Sequence, residues 1–183
     1  QSKIKDVYLN SDSDYEGPYS VPVLVDVTTG KVVRKESAEL LHEFATVFRK
    51  LHKKDGIDLY PEHLAGQIDE WNEKLAVAIN DGVYGMRFAE NQEKYDEAFD
   101  RFFDMMDVVE ERLSNQRYFH GNTITETDIR FYTTMIRFDV VYYGLYSANK
   151  KRIEEYPNIF NYLKDLYQTP GFETTANFSF HSS

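Results

Sequence analysis

The sequence predicts a mainly α protein in which a short stretch of partial α/β structure leads into an all-α body. Three observations carry that reading. Strand-like apolar runs are confined to the first 35 or so of the 183 residues. From Glu36 onward, apolar residues recur at three- and four-residue steps, the helical period. Thr125-Glu126-Thr127-Asp128 has the form of a capping box, and the helix behind it is apolar on more than one face, as expected of the central helix of a bundle.

The β part is a hairpin. Ser20-Val21-Pro22-Val23-Leu24-Val25-Asp26 is a strand candidate, with Pro22 at its start or edge because proline cannot donate to a ladder. Thr28-Thr29-Gly30-Lys31 is a turn, and Val32-Val33 continues as a second strand. Two strands alone are marginal in water, so the hairpin must lean on the helices that follow or on strands outside these residues.

The first predicted helix carries Leu40, Leu41, Phe44, Val47, Phe48 and Leu51 as one apolar stripe. Ser37 at its start is a preferred N-cap. Arg49, Lys50, Lys53 and Lys54 suit the negative end of its dipole, and Asp55-Gly56 closes it. Pro61 opens the next helix, with Leu64, Ile68, Trp71, Leu75, Val77 and Ile79 as its buried side, until Asn80-Asp81-Gly82 breaks the pattern. A long helix follows from about Asn91 to Ser114, with Tyr95, Phe99, Phe102, Phe103, Met106, Val109 and Leu113 near heptad-like spacing and its acidic residues on a solvated face. The central helix from Thr125 carries Phe131, Tyr132, Met135, Ile136, Phe138, Val140 and Val141, with Ile124 and Ile129 placed for a hydrophobic staple. A last helix spans about Pro157 to Tyr167, and the polar tail from Thr174 reads as loose.

Composition narrows the function. Lys+Arg is 21 against Asp+Glu 31, a formal charge of −10, which disfavours phosphate-backbone binding and hence nucleic acid. No apolar run approaches the roughly 18 residues of a membrane span, and no signal-peptide pattern opens the chain. There is no cysteine, which removes disulfides, thiolate metal sites and a cysteine nucleophile from these residues. The five histidines are scattered, with no HExxH and no tight cluster, so no metal site is expected, and no phosphate-cradling glycine loop appears. Glu36-Ser37 at a helix start reads either as plain capping or as a carboxylate-binding site. Base rates favour trans for Val21-Pro22; a cis bond would turn the Val21 backbone toward a ligand. The fourteen tyrosines are mostly packing, but a few can line an aromatic pocket.

Together these motifs resemble a glutathione transferase. The finer likeness is to the xi class, the glutathionyl-hydroquinone reductases. It rests on Tyr19-Ser20-Val21-Pro22-Val23-Leu24, Glu36-Ser37-Ala38-Glu39, Asp58-Leu59-Tyr60-Pro61 and Asn80-Asp81-Gly82-Val83-Tyr84. It continues through Gln116-Arg117-Tyr118, Thr125 to Arg130, Ile136 to Tyr142, Tyr156-Pro157-Asn158 and Asp165-Leu166-Tyr167-Gln168, in family order over nearly the whole chain.

The resemblance implies that residues 1–54 are the C-terminal part of a thioredoxin-like glutathione-binding domain. It implies that residues 55–183 are the all-helical glutathione-transferase C-terminal domain. It implies a cis Val21-Pro22 bond, with the Val21 backbone pairing with the cysteinyl part of glutathione. Glu36 and Ser37 would hold the γ-glutamyl end. Lys5 stands where the family has an arginine for the glycyl carboxylate; lysine keeps the charge but loses the two-pronged fork. Tyr60, Tyr142 and Tyr167 become candidates for a second pocket, steadying a phenolic oxygen as it gains charge. The implied reaction is glutathione-dependent reduction of glutathionyl-hydroquinones by thiol exchange. Its ligands are glutathione as co-substrate and aromatic or quinone molecules. The implied setting is a cytoplasmic homodimer that binds neither nucleic acid nor membrane.

Two departures stand out. The family's Cys-Pro-Trp nucleophile motif is not in these residues, which the resemblance places after the first β-α-β unit. Gly144-Leu145-Tyr146-Ser147 replaces the family's His-Phe-Lys-Cys stretch. The residues as given are therefore expected to be catalytically silent, with an intact parent as the enzyme. The competing readings are a transferase-like module used for protein interaction and, more weakly, an unrelated bundle that binds an apolar ligand.

Overall fold

A computed structural model describes residues 3–176. It divides into two compact units, Gln1–Gly56 and Ile57–Ser183.

The first unit opens with a helix where the sequence predicts only β structure. Helix α1 covers Ile4–Ser11. Its inward residues Ile4, Val7, Tyr8 and Ser11 follow the i, i+3, i+4, i+7 pattern, a short stripe inside a polar segment. Tyr8 is buried and donates to the Ser20 carbonyl at 2.9 Å. Its ring meets Tyr15 and Tyr19, and Ser11 Oγ receives the Val32 N–H at 3.0 Å. Thus α1 packs on the hairpin rather than extending it.

The hairpin itself is as expected but shorter. Strand β1 is Leu24–Asp26 and β2 is Lys31–Arg34, antiparallel, with Val25 opposite Val32 and Asp26 opposite Lys31. The turn is tied by Asp26 Oδ1, which accepts the Thr28 and Thr29 amides, and Gly30 supplies the left-handed φ of 69°. The Val21–Pro22 bond is cis.

Helix α2 covers Ser37–Ala45. Its N-cap is Glu36 rather than Ser37. The chain stays extended through Glu36 (φ −82°, ψ 119°), whose carbonyl accepts the Leu40 N–H, so Ser37 is already the first helical residue. The predicted apolar stripe is also corrected. The α-helix stops at Ala45, and Val47–Leu51 winds on as a tighter 3-10 turn. Only Leu40 and Ala45 are buried in α2, while Phe44, Val47 and Leu51 are exposed. Helix α2 packs against the 3-10 turn that follows it and is tied to β2 by Arg34, which pairs with Glu39 and Glu43.

The second unit is a helical bundle. Helix α3 covers Ala65–Leu75 after a single turn at Glu62–Leu64. It buries Ile68, Asn72 and Leu75, while Val77 lies off that stripe and is exposed. Asn80-Asp81-Gly82 does not break the chain, contrary to expectation. The helix widens into a π turn at Ala76–Asn80, closed by the Asp81 N–H to the Ala76 carbonyl, and re-enters as α4, Gly82–Arg87. Asn80 secures the turn from its side chain, donating to Arg130 O at 3.0 Å and Thr134 Oγ1 at 2.8 Å. Gly82 lies beside the Phe102 ring, where a Cβ would sit at 3.5 Å, an ordinary van der Waals contact.

Helix α5 covers Gln92–Asn115, capped by Asn91 Oδ1 on the Lys94 N–H. Phe102, Phe103, Met106, Val109 and Leu113 face inward as predicted. Its acidic side is more than a solvated face. Glu110 accepts the Asn158 and Ile159 amides at 2.9 Å each, capping α8 (Pro157–Gln168) from another helix.

Helix α6 covers Glu126–Met135 and continues through a π turn at Phe138–Tyr142 into the short α7, Tyr143–Leu145. Phe131 and Phe138 are fully buried, and Phe138 stacks on Phe102 at 5.3 Å between ring centroids. Val140, predicted on this core helix, is instead half exposed. The capping box is real. Asp128 Oδ2 accepts the Thr125 N–H at 2.8 Å, and Asp128 Oδ1 takes the Phe119 N–H and the Tyr162 hydroxyl. Of the tail, Glu173–Thr175 is one 3-10 turn, and residues 177–183 lie outside the described part.

His120, in the turn before α6, yields a prediction about pH. It is buried, with Nε2 at 3.1 Å from Thr127 Oγ1 and no partner for Nδ1. Burial first, and the Arg112 charge second, push its pKa down to about 4. Between that value and the unfolded value near 6.5, the unfolded chain binds a proton that the folded chain refuses. Its contribution is therefore complete above pH 6.5 and is lost as pH falls toward 4, by up to about 3 kcal/mol. Urea midpoints at pH 7 and pH 4.5 should differ less for His120→Gln than for the parent. Equal slopes would refute this.

Candidate functional site

Helices α3 and α6 run side by side in the same direction. Asn72, in the last turn of α3, donates to Glu126 Oε1 at 2.6 Å at the start of α6, and Asn80, in the π turn that follows α3, donates to Thr134 Oγ1 near the end of α6. This parallel pair sorts the tyrosines by depth along the bundle.

Tyr60 lies at the starting end, where the Leu59 carbonyl accepts the Glu126 N–H. Its hydroxyl faces both oxygens of Asp69, at 2.8 and 2.9 Å. Burial, then that carboxylate, push its pKa up to about 12. The single phenolic proton is directed at Asp69, so toward a ligand Tyr60 offers an oxygen lone pair.

Tyr142 lies at the far end. Its ring meets Tyr84 edge-on at 6.3 Å and Tyr146 at 5.2 Å, and Tyr84 meets Tyr146 at 5.8 Å. Tyr142 is buried while Tyr84 is 46% exposed, so the cluster has a dry root and a wet edge. Burial, with Tyr84 as the next cause, raises the Tyr142 pKa to about 12, which keeps its O–H protonated. The helical path from Asp69 to Tyr84 rises on the order of 20 Å. Tyr60 and Tyr142 are therefore not two walls of one small-molecule pocket. In the sequence Tyr84 stands out only as the end of the Asn80-Asp81-Gly82-Val83-Tyr84 motif. Its placement at Tyr142 depends on the continuation of α3 through the π turn, which the Asn-Asp-Gly stretch disguised.

Tyr167 is on α8, in a groove that also holds Ile136, Asp139 and Val140 of the α6 segment. It is a neighbour of Tyr132.

In the first unit, Val21 is 74% exposed and lies outside the ladder, which begins at Leu24. Its backbone amide and carbonyl are not used by the hairpin. Pro22, Glu36, Ser37 and Lys5 are all exposed. Glu36 and Ser37 stand at the start of α2, where first-turn amides point outward for an anion. Lys5 on α1 lies with its ammonium 5.9 Å from the Tyr19 ring centroid. No group of three His, Asp or Glu suited to a metal ion occurs among the described residues, and no described helix is long and apolar enough to cross a membrane.

The helical arrangement defines a class. Residues 92–165 match the family profile "Glutathione S-transferase, C-terminal domain". The chain is 43% identical over 172 residues to the glutathionyl-hydroquinone reductase YqjG of Escherichia coli, covering 94% of this chain and 52% of that protein. It is 36% identical over 153 residues to the glutathionyl-hydroquinone reductase PcpF of Sphingobium chlorophenolicum, covering 84% of this chain and 49% of that protein. The glutathione-bound structure of E. coli YqjG superposes with a TM-score of 0.92 at 41% identity, over 99% of this chain and 58% of that one. Glutathione transferase Xi 1 from Trametes versicolor gives 0.93 at 38% identity, over 99% and 63%. The chain spans about half the length of the curated relatives it matches. Over the part it spans, it belongs to the xi-class glutathione transferase, or glutathionyl-hydroquinone reductase, family.

Proposed function

We propose that these residues are part of a glutathione-dependent reductase that acts on glutathionyl-hydroquinones. The observation that supports this most is the 43% identity to a glutathionyl-hydroquinone reductase along 94% of the chain. In this reading the Val21 backbone pairs with the cysteinyl peptide of glutathione. The first-turn amides of α2, with Glu36 and Ser37, hold the γ-glutamyl end. Lys5 meets the glycyl carboxylate as a point charge. Residues 1–54 act as part of a thioredoxin-like domain and 55–183 as the helical domain. The aromatic co-substrate is assigned to the Tyr142 end of the bundle, where an O–H that stays protonated can donate to a phenolic oxygen. Tyr60, with its proton on Asp69, would act only as an acceptor, and Tyr167 belongs to a separate groove.

The reaction would be thiol exchange. A cysteine thiolate takes the glutathione sulfur, the hydroquinone leaves with a proton, and a second glutathione releases the mixed disulfide as oxidised glutathione. The 183 residues contain no cysteine, so they contribute binding and orientation but not the nucleophile. We further propose a cytoplasmic homodimer, testable by light scattering of the purified protein.

Calorimetric titration with glutathione tests the site. Glu36→Ala is expected to weaken binding about tenfold or more, the effect of losing a charged hydrogen-bond partner. Equal affinity in parent and variant would remove Glu36 from the site. A second reading, a non-catalytic interaction module, is favoured by the lack of cysteine. Intact mass of the native protein after thiol alkylation separates the two. A mass well above 21.5 kDa with a modified thiol supports the enzyme, and a mass equal to this chain with none supports the module.

A further inference from the structure

A groove of about 470 Å³ runs between the α6 segment and α8. Its volume is within the range of small-molecule sites, roughly 300–1,000 Å³. The floor is Met135, Ile153 and Leu163, all buried. Ile136, Val140 and Phe160 form apolar walls, with Val140 51% and Phe160 36% exposed.

The α8 side of this groove is not explained by folding. The helix already buries Ile159, Tyr162, Leu163 and Leu166 in the core. Phe160, Leu163, Lys164 and Tyr167 form a second stripe at helical spacing, turned to the groove. A face that only met water would not need Phe160 opposite an exposed Val140.

The polar groups have a definite order. Asp139 stands on the α6 side, with Oδ1 receiving the Ile153 N–H at 3.2 Å. Lys164 and Gln168 stand on the α8 side, the Lys164 ammonium 3.9 Å from the Phe160 ring centroid. Lysine can only donate, so the α8 wall suits an anion. An ionised Asp139 can only accept, so the α6 wall repels an anion and suits an O–H. The α8 stripe from Phe160 to Gln168 is about 12 Å long, which matches two fused rings rather than a docked helix of several turns.

We infer that this groove is a binding site for a hydroxyaromatic acid. The rings lie over Met135 and Leu163, the carboxylate is on the Lys164 side, and the hydroxyl donates to Asp139. The inference does not rest on the glutathione reading, whose residues Val21, Glu36 and Ser37 belong to the other unit.

The test uses the full chain labelled in Met and Ile methyl groups, titrated with 6-hydroxy-2-naphthoate without glutathione. The methyl signals of Met135, Ile136 and Ile153 should shift together and saturate, while those of Ile57 and Ile68 stay in place. Lys164→Gln, an exposed position, should weaken the naphthoate about tenfold and leave neutral 2-naphthol within about twofold. Val140→Trp should block both by filling the mouth. No shifts at the three methyls, or a naphthoate affinity unmoved by Lys164→Gln, would overturn the inference.

Discussion

Asp128→Ala is expected to cost the helical unit about 4 kcal/mol or more, enough to leave a domain of ordinary stability largely unfolded. Four donors converge on this carboxylate. Oδ1 accepts the Phe119 N–H at 3.1 Å and the Tyr162 hydroxyl at 2.9 Å, and Oδ2 accepts the Thr125 N–H at 2.8 Å and the Thr125 hydroxyl at 3.0 Å. The residue is wholly buried. Burial pushes its pKa up, while the donors pull it back. Removing the carboxylate strands donors from three places at once: the turn before α6, the start of α6 and the middle of α8. A stranded buried donor costs about 1–3 kcal/mol, whereas an ordinary N-cap deletion costs about 1 kcal/mol. Asp128→Asn should fall between, because one acceptor oxygen remains. Urea unfolding followed by Trp71, whose ring lies against Phe119, measures both variants. A cost for Asp128→Ala no greater than that of Thr125→Ala would mean that Asp128 is merely a local cap.

How legible each part was in the sequence follows from the range of the interactions that fix it. The Thr125–Asp128 box was legible because its partners lie three residues apart. That the same carboxylate also takes Tyr162 was not, since only the packing of α8 brings it there. The long helix α5 declared itself by a sustained stripe. The eight-residue α1 did not, because Ile4, Val7 and Tyr8 are too few to stand out from the polar residues between them. At Asn80-Asp81-Gly82 the local rule misled. Turn-forming residues were held helical by the Asn80 side chain, which bonds across to α6. The same event hid the Tyr84–Tyr142–Tyr146 cluster and made Tyr60 and Tyr142 look like partners. In the first unit the choice of Val21, Glu36 and Ser37 as a proposed glutathione site comes from family likeness. Nothing in their spacing distinguishes a peptide-binding edge from a plain hairpin and cap.

The 183 residues by themselves are expected to give no saturable reduction of a glutathionyl-hydroquinone by glutathione. A nucleophile deletion commonly costs a thousandfold or more, so the expected deficit against E. coli YqjG is about that size or larger. The step needs an atom that forms a disulfide with the glutathione sulfur, and this chain has no thiol. The groups near the aromatic cluster do not substitute for it. With its pKa near 12, Tyr142 is phenolate in only about one molecule in 10⁵ at pH 7. His120 is neutral there, but it is buried on Thr127 and at the other end of the bundle, near the start of α6. Holding a glutathione and an aromatic ring in place still leaves the second thiol to arrive from solution, so orientation alone supplies little of the missing rate. The assay is formation of oxidised glutathione against a glutathione-only control, with the E. coli relative as reference. A rate that saturates with substrate and disappears in Glu36→Ala would sink the assignment of the attack to a cysteine thiolate of the protein. It would mean that the bound glutathione itself, held at Val21, Glu36 and Ser37, is the attacking sulfur.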